Sequence, residues 1–395
     1  MGAPDGRVSR VLYISYNGVA TPLVRSQVLP YLRALRASTR FDLVTFEQGE
    51  NALPPSDELA GIALHRLRYH KRPRLLAKLI DLAAGSAVVT WLIVRHDVRL
   101  VHARSHVAAA IAAIASRLTG RPFIFDMRGF LADEFAEAGS WRSGGVTHRL
   151  VARAERMLLR ASAAIVVLTD RARDQLRAEQ RYAAAVKDKP VIVVPCCVEI
   201  ERFHLSGPRE DALAYVGSVG TWYLLDEMLH FFEAYWHLRP QARFVIANLG
   251  QHALIERALA PFRWRDAVTV TSVPYEEVPR LLSGCTAGIV LLSEGGSKLA
   301  SSPIKVAEYL ASGLPVVANE IVGDTPELLR AHRAGVVLQG LDPAALARGA
   351  RELTALLDEG EAARMRARAL AKSVFDARIG ARRYGELYEL VERAS

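Results

Sequence analysis

The segment SSPIKVAEYLASGLPVVAN carries residue types that could bind a phosphorylated ligand. A strand is predicted at residues 287–292, and a helix follows the polar loop after it, with Ser302 as candidate N-cap and Pro303 at the first helical position. The first amides of a helix and the positive end of its dipole favour an anion, and Lys305 adds a full positive charge in the first turn. This arrangement predicts a diphosphate site that needs no metal ion.

Glu308 follows Lys305 by three residues and therefore lies on the same helix face, about 4.5 Å further along the axis. Its carboxylate could accept two hydrogen bonds from the diol of a ribose whose phosphates lie at the helix end. The alternative is a surface ion pair between Lys305 and Glu308, which would contribute only a few tenths of a kcal/mol.

A glycine-containing turn follows the first strand of each half of the sequence. Gly217, Ser218 and Gly220 come after the run ALAYV, and Gly18 comes after VLYISY. Because a side chain at such a position would obstruct a diphosphate, both turns are predicted to lie beside the ligand. A tight turn without a ligand is the alternative for the turn at Gly217, Ser218 and Gly220.

Polar side chains also follow two strands of the N-terminal half, at the sheet edge where parallel α/β folds bind ligands. The candidates for binding or reacting with an acceptor are Arg104, Ser105 and His106 after RLVHA, Asp126, Arg128, Asp133 and Glu134 after PFIFDM, and Gln27 in the first helix. The alternatives are an ion pair between Asp126 and Arg128 that fixes the loop, a structural role for the lone His106, and a polar helix face around Gln27.

The elements that would position these residues alternate regularly along the chain. Short apolar runs typical of strands are separated by helical patterns, and after Pro195 the sequence becomes irregular and polar before a second series of strands begins. The pattern predicts an α/β protein with two Rossmann-like, doubly wound parallel-sheet domains, residues 1–205 and 206–375. Residues 376–395 are predicted to form a helix that packs back on the N-terminal domain.

Composition excludes several classes of protein. The three cysteines cannot form a disulfide framework and lack the spacing of a zinc site, and the N-terminus has no apolar export segment, so we expect a cytoplasmic protein. No D-x-D follows a strand, and no G-x-G-x-x-G follows either first strand, which argues against a metal-bridged diphosphate and against a dinucleotide oxidoreductase. The apolar run at residues 79–94 is too short to span a bilayer and contains Asp81, so it is predicted to be a buried helix.

The net charge of +9 is concentrated in the N-terminal half, and the densest basic segment, residues 65–74, leads into the apolar run LLAKL. A basic segment before an apolar helix favours an anionic membrane surface over nucleic acid, so we expect peripheral attachment to the inner face of the plasma membrane and no nucleic-acid partner. A solvated arginine-rich loop is the alternative.

The pattern S-x-P-x-K-x-x-E-Y-x-A-x-G-x-P-V-V resembles the donor-binding signature of glycosyltransferase family 4, the group 1 glycosyltransferases. YVGSVGTWYLLDEML and VVPCCVEIERF resemble the glycine loop and the interdomain linker of that family. YISYNGVATPLVRSQVLPYL, VHARSH and FIFDMRGFLADEF resemble a branch of bacterial enzymes of surface-polysaccharide assembly. The resemblance therefore covers most of the chain.

The resemblance implies a GT-B fold, in which two Rossmann-like domains face each other across a cleft. It also implies retaining, metal-independent transfer of a sugar from a nucleoside diphosphate sugar to a growing, lipid-linked surface glycan, with no cofactor. Glu308 would hold the ribose, and Ser302, Pro303, Ile304 and Lys305 the diphosphate. Arg128 aligns best with a residue that relatives place near the reacting sugar, followed by Asp126, so these two and His106 are the catalytic candidates.

Two segments depart from the family pattern. Ala300 occupies the place of the first Glu of E-x7-E, and Glu294 and Lys298 are the candidates to replace its contact with the sugar. Thr221, Trp222 and Tyr223 stand where many relatives have an Arg and a Lys, so Lys305 and the glycine loop must bind more of the anion. The alternatives to a transferase are a nucleotide-sugar 2-epimerase, a phosphorylase, and a catalytically silent scaffold of a polysaccharide-assembly complex.

Overall fold

The computed structural model describes residues 9–49, 53–205, 207, 209–220 and 222–394. Ser206, at the predicted start of the second domain, and Thr221 lie outside the described residues. The chain divides into two compact units. The first comprises Met1–Ala136, Trp141–Val194 and Ala377–Ser395, and the second comprises Glu137–Ser140 and Pro195–Asp376. Residues 195–205, which the sequence analysis places in the N-terminal domain, thus group with the second unit.

The first unit contains a sheet of seven parallel strands: β1 (Ser9–Ser15), β2 (Thr39–Glu47), β3 (Ile62–Arg68), β4 (Leu100–Arg104), β5 (Phe123–Asp126), β6 (Ala164–Val167) and β7 (Val191–Val193). Their order in the sheet is β3-β2-β1-β4-β5-β6-β7. Val11 of β1 pairs with Phe41 of β2 and with Leu100 of β4, so chain order reverses around β1. At such a reversal the carboxyl edge of the sheet opens into a crevice.

The helices of this unit are α1 (Pro22–Gln27), α2 (Leu29–Leu35), α3 (Arg74–Arg95), α4 (His106–Thr119), α5 (Leu131–Glu137), α6 (Val146–Ala161), α7 (Asp170–Ala178) and α8 (Gln180–Val186). The C-terminal helix Ala377–Ala394 belongs to the same unit. Its buried residues recur every three or four positions, as an amphipathic helix requires, and the rings of Tyr384 and Tyr31 meet edge to face at 5.2 Å.

Helix α3 differs from its prediction. The run predicted as a buried helix has one buried face and one exposed apolar face, with Leu79 52%, Trp91 59% and Val94 74% exposed. The prediction of a buried helix is therefore wrong. Among the helices of the described residues, only the segment Leu76–Arg95 is long and apolar enough to cross a membrane, and 39% of that stretch is buried within the protein.

The second unit contains a sheet of six parallel strands: β8 (Ala212–Val216), β9 (Arg243–Ala247), β10 (Val268–Thr271), β11 (Ala287–Val290), β12 (Val316–Asn319) and β13 (Gly335–Leu338). Their order is β10-β9-β8-β11-β12-β13, which reverses around β8 as the first sheet does around β1. The prediction of two doubly wound parallel-sheet domains is confirmed.

The helices of the second unit are α9 (Leu225–Leu238), α10 (His252–Leu259), α11 (Val278–Ser283), α12 (Ile304–Ala311), α13 (Thr325–His332), α14 (Pro343–Asp358) and α15 (Glu361–Val374), and the C-terminal helix of the first unit is α16. One apolar cluster of the second unit joins α9 and α14 to the sheet, and another joins α12 and α15 to it. The second cluster includes Val306, Ala307 and Leu310 of α12, so this helix is fixed against the sheet by its apolar face.

Candidate functional site

Helix α12 begins at Ile304, one residue later than predicted. Pro303 is its N-cap, in an extended conformation with φ −63° and ψ 123°, and no side-chain hydrogen bond caps the helix. The prediction of Ser302 as N-cap is wrong, because the Ser302 Oγ accepts a hydrogen bond from the backbone N–H of Cys196 at 3.1 Å. The N-terminal end of α12 is thus left without a side-chain cap, which suits an anionic ligand.

Lys305 lies in the first turn of α12 and is 5% exposed. Its Nζ donates to the Tyr215 hydroxyl at 3.0 Å and lies 3.4 Å from the centroid of the Tyr223 ring. Burial lowers the pKa of Lys305 to about 7, and the nearby Glu308 carboxylate opposes that shift. In the described part of the chain no ion pair within 4.0 Å joins Lys305 to Glu308, so the surface ion pair considered above does not form.

Glu308 is 4% exposed, and burial raises the pKa of its carboxyl to about 7 against the opposing charges of Lys305 and Arg202. None of the described residues donates a hydrogen bond to its carboxylate. A buried carboxylate without donors is costly when ionised, which is why its pKa rises. A ligand that brings hydroxyl donors would supply what the protein does not.

The turn after β8 lies against the same lysine. Gly217 has φ +130°, and a Cβ at that position would lie 2.9 Å from the Lys305 Nζ. The Gly217 carbonyl accepts from Asn248 Nδ2 at 2.9 Å, and the Val219 N–H donates to Gln251 Oε1 at 2.9 Å. Ser218 accepts a hydrogen bond from the Tyr215 hydroxyl through its carbonyl. The turn, which ends at Gly220, is therefore held in place by side chains that the sequence analysis does not name.

Tyr215, Asn248 and Gln251 are the residues of this site that sequence reasoning misses. Asn248 follows the last residue of β9, at the same sheet edge as the turn after β8, and that position is the signal that could have identified it. Tyr215 reads in the sequence as one more apolar residue of a strand.

The loop before α12 contains the two candidates to replace the missing first Glu. Glu294 is exposed, whereas Lys298 is buried in a short 3-10 turn, with its Nζ 3.5 Å from the centroid of the Trp222 ring. Lys298 also donates to Glu137 at 3.2 Å, in the short segment that belongs to the second unit. Its charge is therefore compensated inside the protein, and Glu294 is the more accessible of the two.

In the first unit, Asp126 at the end of β5 is fully buried and pairs with Arg128 at 3.2 Å. Gln27 Oε1 accepts from Arg104 Nη2 at 2.7 Å and from Arg128 Nη2 at 3.2 Å. Burial alone would raise the pKa of Asp126, but Arg128, His102 and Arg104 hold it well below its usual range. The loop-fixing ion pair between Asp126 and Arg128 is present, and it brings four of the predicted residues together.

His102 of β4 belongs to this cluster and was not predicted. Its Nδ1 lies 2.8 Å from the Tyr388 hydroxyl and its Nε2 lies 3.5 Å from Asp126 Oδ2, while the Tyr384 hydroxyl donates to the same oxygen at 3.3 Å. Burial lowers the pKa of His102, although Asp126 opposes the shift. A polar residue inside the apolar strand of VHARSH is the signal that could have found it.

His106 and Ser105 stand at the start of α4. The His106 Nε2 lies 3.0 Å from an oxygen of Glu155, whose other oxygen accepts from the Tyr182 hydroxyl at 2.8 Å. Ser105, the N-cap of α4, has φ 73° and ψ 174°, a backbone region that non-glycine residues rarely occupy. Strain of this kind persists where the surrounding structure imposes it, and it often accompanies functional sites.

The remaining candidates of the first unit have mainly structural partners. Asp133 pairs with His148 at 2.8 Å and with Arg181, and these partners, against the effect of burial, lower its pKa. Glu134 lies over Gly129 in the first turn of α5. A Cβ at Gly18 would lie 2.5 Å from Glu47 Oε2, whose other oxygen accepts from the Val19 N–H at 3.0 Å.

The sequence of residues 24–197 matches the Glycosyl transferase 4-like domain, and that of residues 210–355 matches Glycosyl transferases group 1. The chain belongs to the group 1 glycosyltransferases. The predicted family and the predicted enzyme class are therefore confirmed. No curated protein matches the sequence at a significant level.

Several solved structures share the fold of this glycosyltransferase. Sucrose-phosphate synthase from Thermosynechococcus elongatus is 14% identical with a TM-score of 0.74, over 98% of this chain and 100% of that one. Anabaena HepE in complex with UDP and glucose is 13% identical with a TM-score of 0.69, over 96% and 99%. A Listeria monocytogenes protein described as a UDP-N-acetylglucosamine 2-epimerase is 14% identical with a TM-score of 0.60, over 96% and 95%. The predicted GT-B fold is confirmed.

The glycosyltransferase also contains a cluster that the sequence analysis, which predicted no metal site, does not name. Asp42 Oδ1 lies 2.8 Å from His65 Nε2 and 2.8 Å from His96 Nδ1, and these ligand atoms lie within 4.8 Å of one another, close enough to share a metal ion. Arg10 Nε lies 3.0 Å from the other oxygen of Asp42. Arg10 is thus the counter-ion of this buried carboxylate, and the two histidines contact its other oxygen.

Proposed function

We propose that this glycosyltransferase transfers a sugar from a nucleoside diphosphate sugar to a growing, lipid-linked surface glycan, with retention of configuration and without a metal ion. The observation that carries the proposal is the buried pair Lys305 and Glu308, whose pKa values burial moves to about 7 from opposite sides. Perturbed titratable groups at a sheet edge are typical of functional sites.

The proposed donor contacts follow from the chemistry of α12. A diphosphate at the helix start would meet the uncapped amides and the Lys305 ammonium, and its charge would restore the ordinary pKa of that amine. The ribose diol would donate to Glu308 and stabilise the ionised carboxylate. The bound UDP of the Anabaena protein, which shares the fold, is the kind of ligand expected.

In the proposed reaction the acceptor hydroxyl oxygen bonds to the anomeric carbon on the face from which the diphosphate leaves. The bond from that carbon to the phosphate oxygen breaks, and the hydroxyl proton passes to the departing phosphate oxygen. The leaving diphosphate gains negative charge, which Lys305 and the α12 dipole are placed to stabilise; fixed dipoles of this kind usually provide the largest catalytic contribution. Arg128, Asp126 and His106 remain the catalytic candidates on the acceptor side, with Asp126 holding Arg128 in position.

We place the acceptor at the inner face of the plasma membrane. The charge of +9 and its concentration in the N-terminal half support attraction to anionic lipids. A lipid-linked glycan would then be presented at the surface to which the enzyme is attracted.

A thermal-shift screen against UDP, GDP, dTDP, CMP and their sugars tests the donor site, because a ligand of the folded state raises the melting temperature. Glu308→Gln and Lys305→Ala are each expected to lower the affinity for the nucleotide that stabilises the wild type by about 10- to 100-fold, as the loss of a hydrogen bond to a charged group does. Glu352→Gln and Lys372→Ala, both exposed in the second unit, are matched controls that should bind normally. Unchanged affinity in both site variants would remove the assignment.

A nucleotide-sugar 2-epimerase is the second candidate, because the Listeria protein of that description shares the fold over nearly the whole chain. Incubation with the stabilising nucleotide sugar and no acceptor separates the two activities. Conversion of the sugar to its epimer, measured by NMR, would establish epimerase activity. Turnover only in the presence of an added acceptor would establish transferase activity. No turnover under either condition would favour a silent scaffold.

A further inference from the structure

One face of α3 is a continuous apolar stripe open to solvent. Leu76, Ile80, Ala83, Ala87, Trp91 and Val94 follow each other at spacings of three or four residues, and all six are exposed. At 1.5 Å per residue the stripe is about 27 Å long. Monomeric proteins seldom expose an apolar surface of this extent without a partner.

The opposite face of α3 holds the helix on the protein. Ala77, Val89, Leu92 and Ile93 are buried. The only acidic residue of the helix, Asp81, is also buried, and its carboxylate accepts hydrogen bonds from the Tyr16 hydroxyl at 2.6 Å and from His70 Nδ1 at 2.6 Å. A helix anchored along its length in this way can lie in the plane of a membrane surface, but cannot span the bilayer without leaving its sheet.

A basic cavity precedes the helix in the chain. It has a volume of about 810 Å³ and is lined by residues 47–49 and 66–72. Arg68, Lys71 and Arg72 are exposed, and within the described ranges no carboxylate lies within 4.0 Å of any of them. Three uncompensated cations at one cavity provide a site for phosphate oxygens.

We propose that the α3 stripe and this cavity together bind the surface of an anionic phospholipid bilayer, with the stripe inserted at the interface and a lipid phosphate in the cavity. Apolar side chains beside unpaired cations match both parts of a lipid, its acyl chains and its anionic headgroup. A protein partner would need an apolar groove flanked by acidic residues. The inference deepens the proposed function, since it names the surface by which the enzyme meets a lipid-linked acceptor.

Vesicle flotation of the full chain tests the proposal. The wild type is expected to float with phosphatidylglycerol-rich vesicles and to remain in solution with pure phosphatidylcholine. Ile80→Ser combined with Trp91→Ser should abolish flotation, and Arg68→Ala, Lys71→Ala and Arg72→Ala together should weaken it on the order of a hundredfold. Equal flotation with both kinds of vesicle, or unchanged flotation of either variant, would overturn the proposal.

The second unit offers matched controls. Leu249→Ser with Leu254→Ser removes comparable exposed apolar side chains, and Arg263→Ala, Arg348→Ala and Arg351→Ala remove three exposed cations; both variants should float like the wild type. Loss of flotation in the controls as well would point to general surface stickiness and against the α3 site.

Tryptophan fluorescence measures insertion directly. The vesicle-bound wild type should show a blue-shifted emission that Trp91→Phe loses, because Trp91 lies in the stripe. A dimer in solution that the stripe variant dissociates would overturn the proposal in favour of a second copy of the chain. Donor binding is measured separately: the stripe variants should bind nucleotide normally, and Glu308→Gln should float normally, so each proposal can fail alone.

Discussion

The two units carry two buried groups of charges with opposite character. In the second unit, Lys305 and Glu308 are buried near each other without an ion pair. Burial lowers the pKa of Lys305 and raises that of Glu308, so both shifts favour the neutral form of the side chain. In the first unit, Asp126 and Arg128 are paired, and the pKa of Asp126 is held far below its usual range. The two groups are buried to a similar extent, but only the charges of the first unit are compensated by an ion pair.

The difference distinguishes a buried group whose charges a ligand could stabilise from one whose charges are already paired within the protein. A buried charge without an ion-pair partner destabilises the free protein and is stabilised when a ligand of opposite charge binds. A buried charge with partners stabilises its surroundings and holds neighbouring groups in position. This contrast supports the proposal that the pair on α12 takes part in donor binding, whereas the Asp126 cluster fixes the geometry of Arg128, Arg104 and Gln27.

Removal of one charge should have opposite effects in the two groups. Asp126→Asn is expected to lower the free energy of unfolding by about 3–5 kcal/mol, because Arg104 and Arg128 lose a buried counter-ion. Lys305→Met should raise it by about 1 kcal/mol, because an apolar side chain replaces a poorly compensated cation. Urea unfolding followed by circular dichroism and fluorescence measures both values.

The same experiment contains its control. Lys305→Met must lose nucleotide binding while it gains stability. A destabilised Lys305→Met protein would show that the lysine is compensated within the fold after all.

The pH dependence of stability should also reveal the α12 pair. The pKa of Glu308 is raised from 4.5 to about 7, so the folded protein binds more protons than the unfolded chain in that window and stability falls as pH rises through it. The pKa of Lys305 is lowered from 10.5 to about 7, so above pH 7 the unfolded chain binds more protons and stability rises again. The pair therefore predicts that its contribution to the free energy of unfolding has a minimum near pH 7, with slopes of at most about 1.4 kcal/mol per pH unit on either side.

Comparison of the wild type with the double variant Lys305→Met, Glu308→Gln isolates this contribution, since all other titrating groups are common to both. The difference curve should have its minimum near pH 7, and a saturating nucleotide should remove it. A flat difference curve would contradict the proposed coupling of burial and ligand binding.

The smallest effect is expected at the glycine turn. Gly217→Ala would bring a Cβ to 2.9 Å from the Lys305 Nζ and should weaken nucleotide binding about tenfold in calorimetry, which corresponds to about 1.4 kcal/mol. Gly220→Ala is a matched control, because Gly220 also has a positive φ, +76°, but among the described residues none beyond its chain neighbours has an atom within 4 Å of its Cβ position. Equal losses in both variants would mean that backbone strain, and not displacement of Lys305, is responsible.

Much of the fold could be predicted from the sequence because parallel sheets covered on both faces leave continuous apolar runs. The face that α3 presents could not, since its stripe and its buried face are both apolar, and only Asp81 and its partners distinguish them. Hydrophobicity alone cannot say which side of a uniformly apolar helix meets the protein.

The candidate site divides along similar lines. Lys305 and Glu308 could be singled out because both lie on one short helix, where spacing determines geometry. His102 meets Asp126 from a neighbouring strand and Tyr388 from the end of the chain, and no local pattern encodes such a meeting. Ser302 was misassigned because the competing donor, the Cys196 amide, is more than a hundred positions away in the sequence.

The place of α16 bears on how the protein is made. Tyr384 and Tyr388, which bind Asp126 and His102, are synthesised 258 and 286 residues after these partners. During translation Asp126 and His102 therefore lack these two hydroxyls until α16 has left the ribosome, which happens only after the whole second unit has been made.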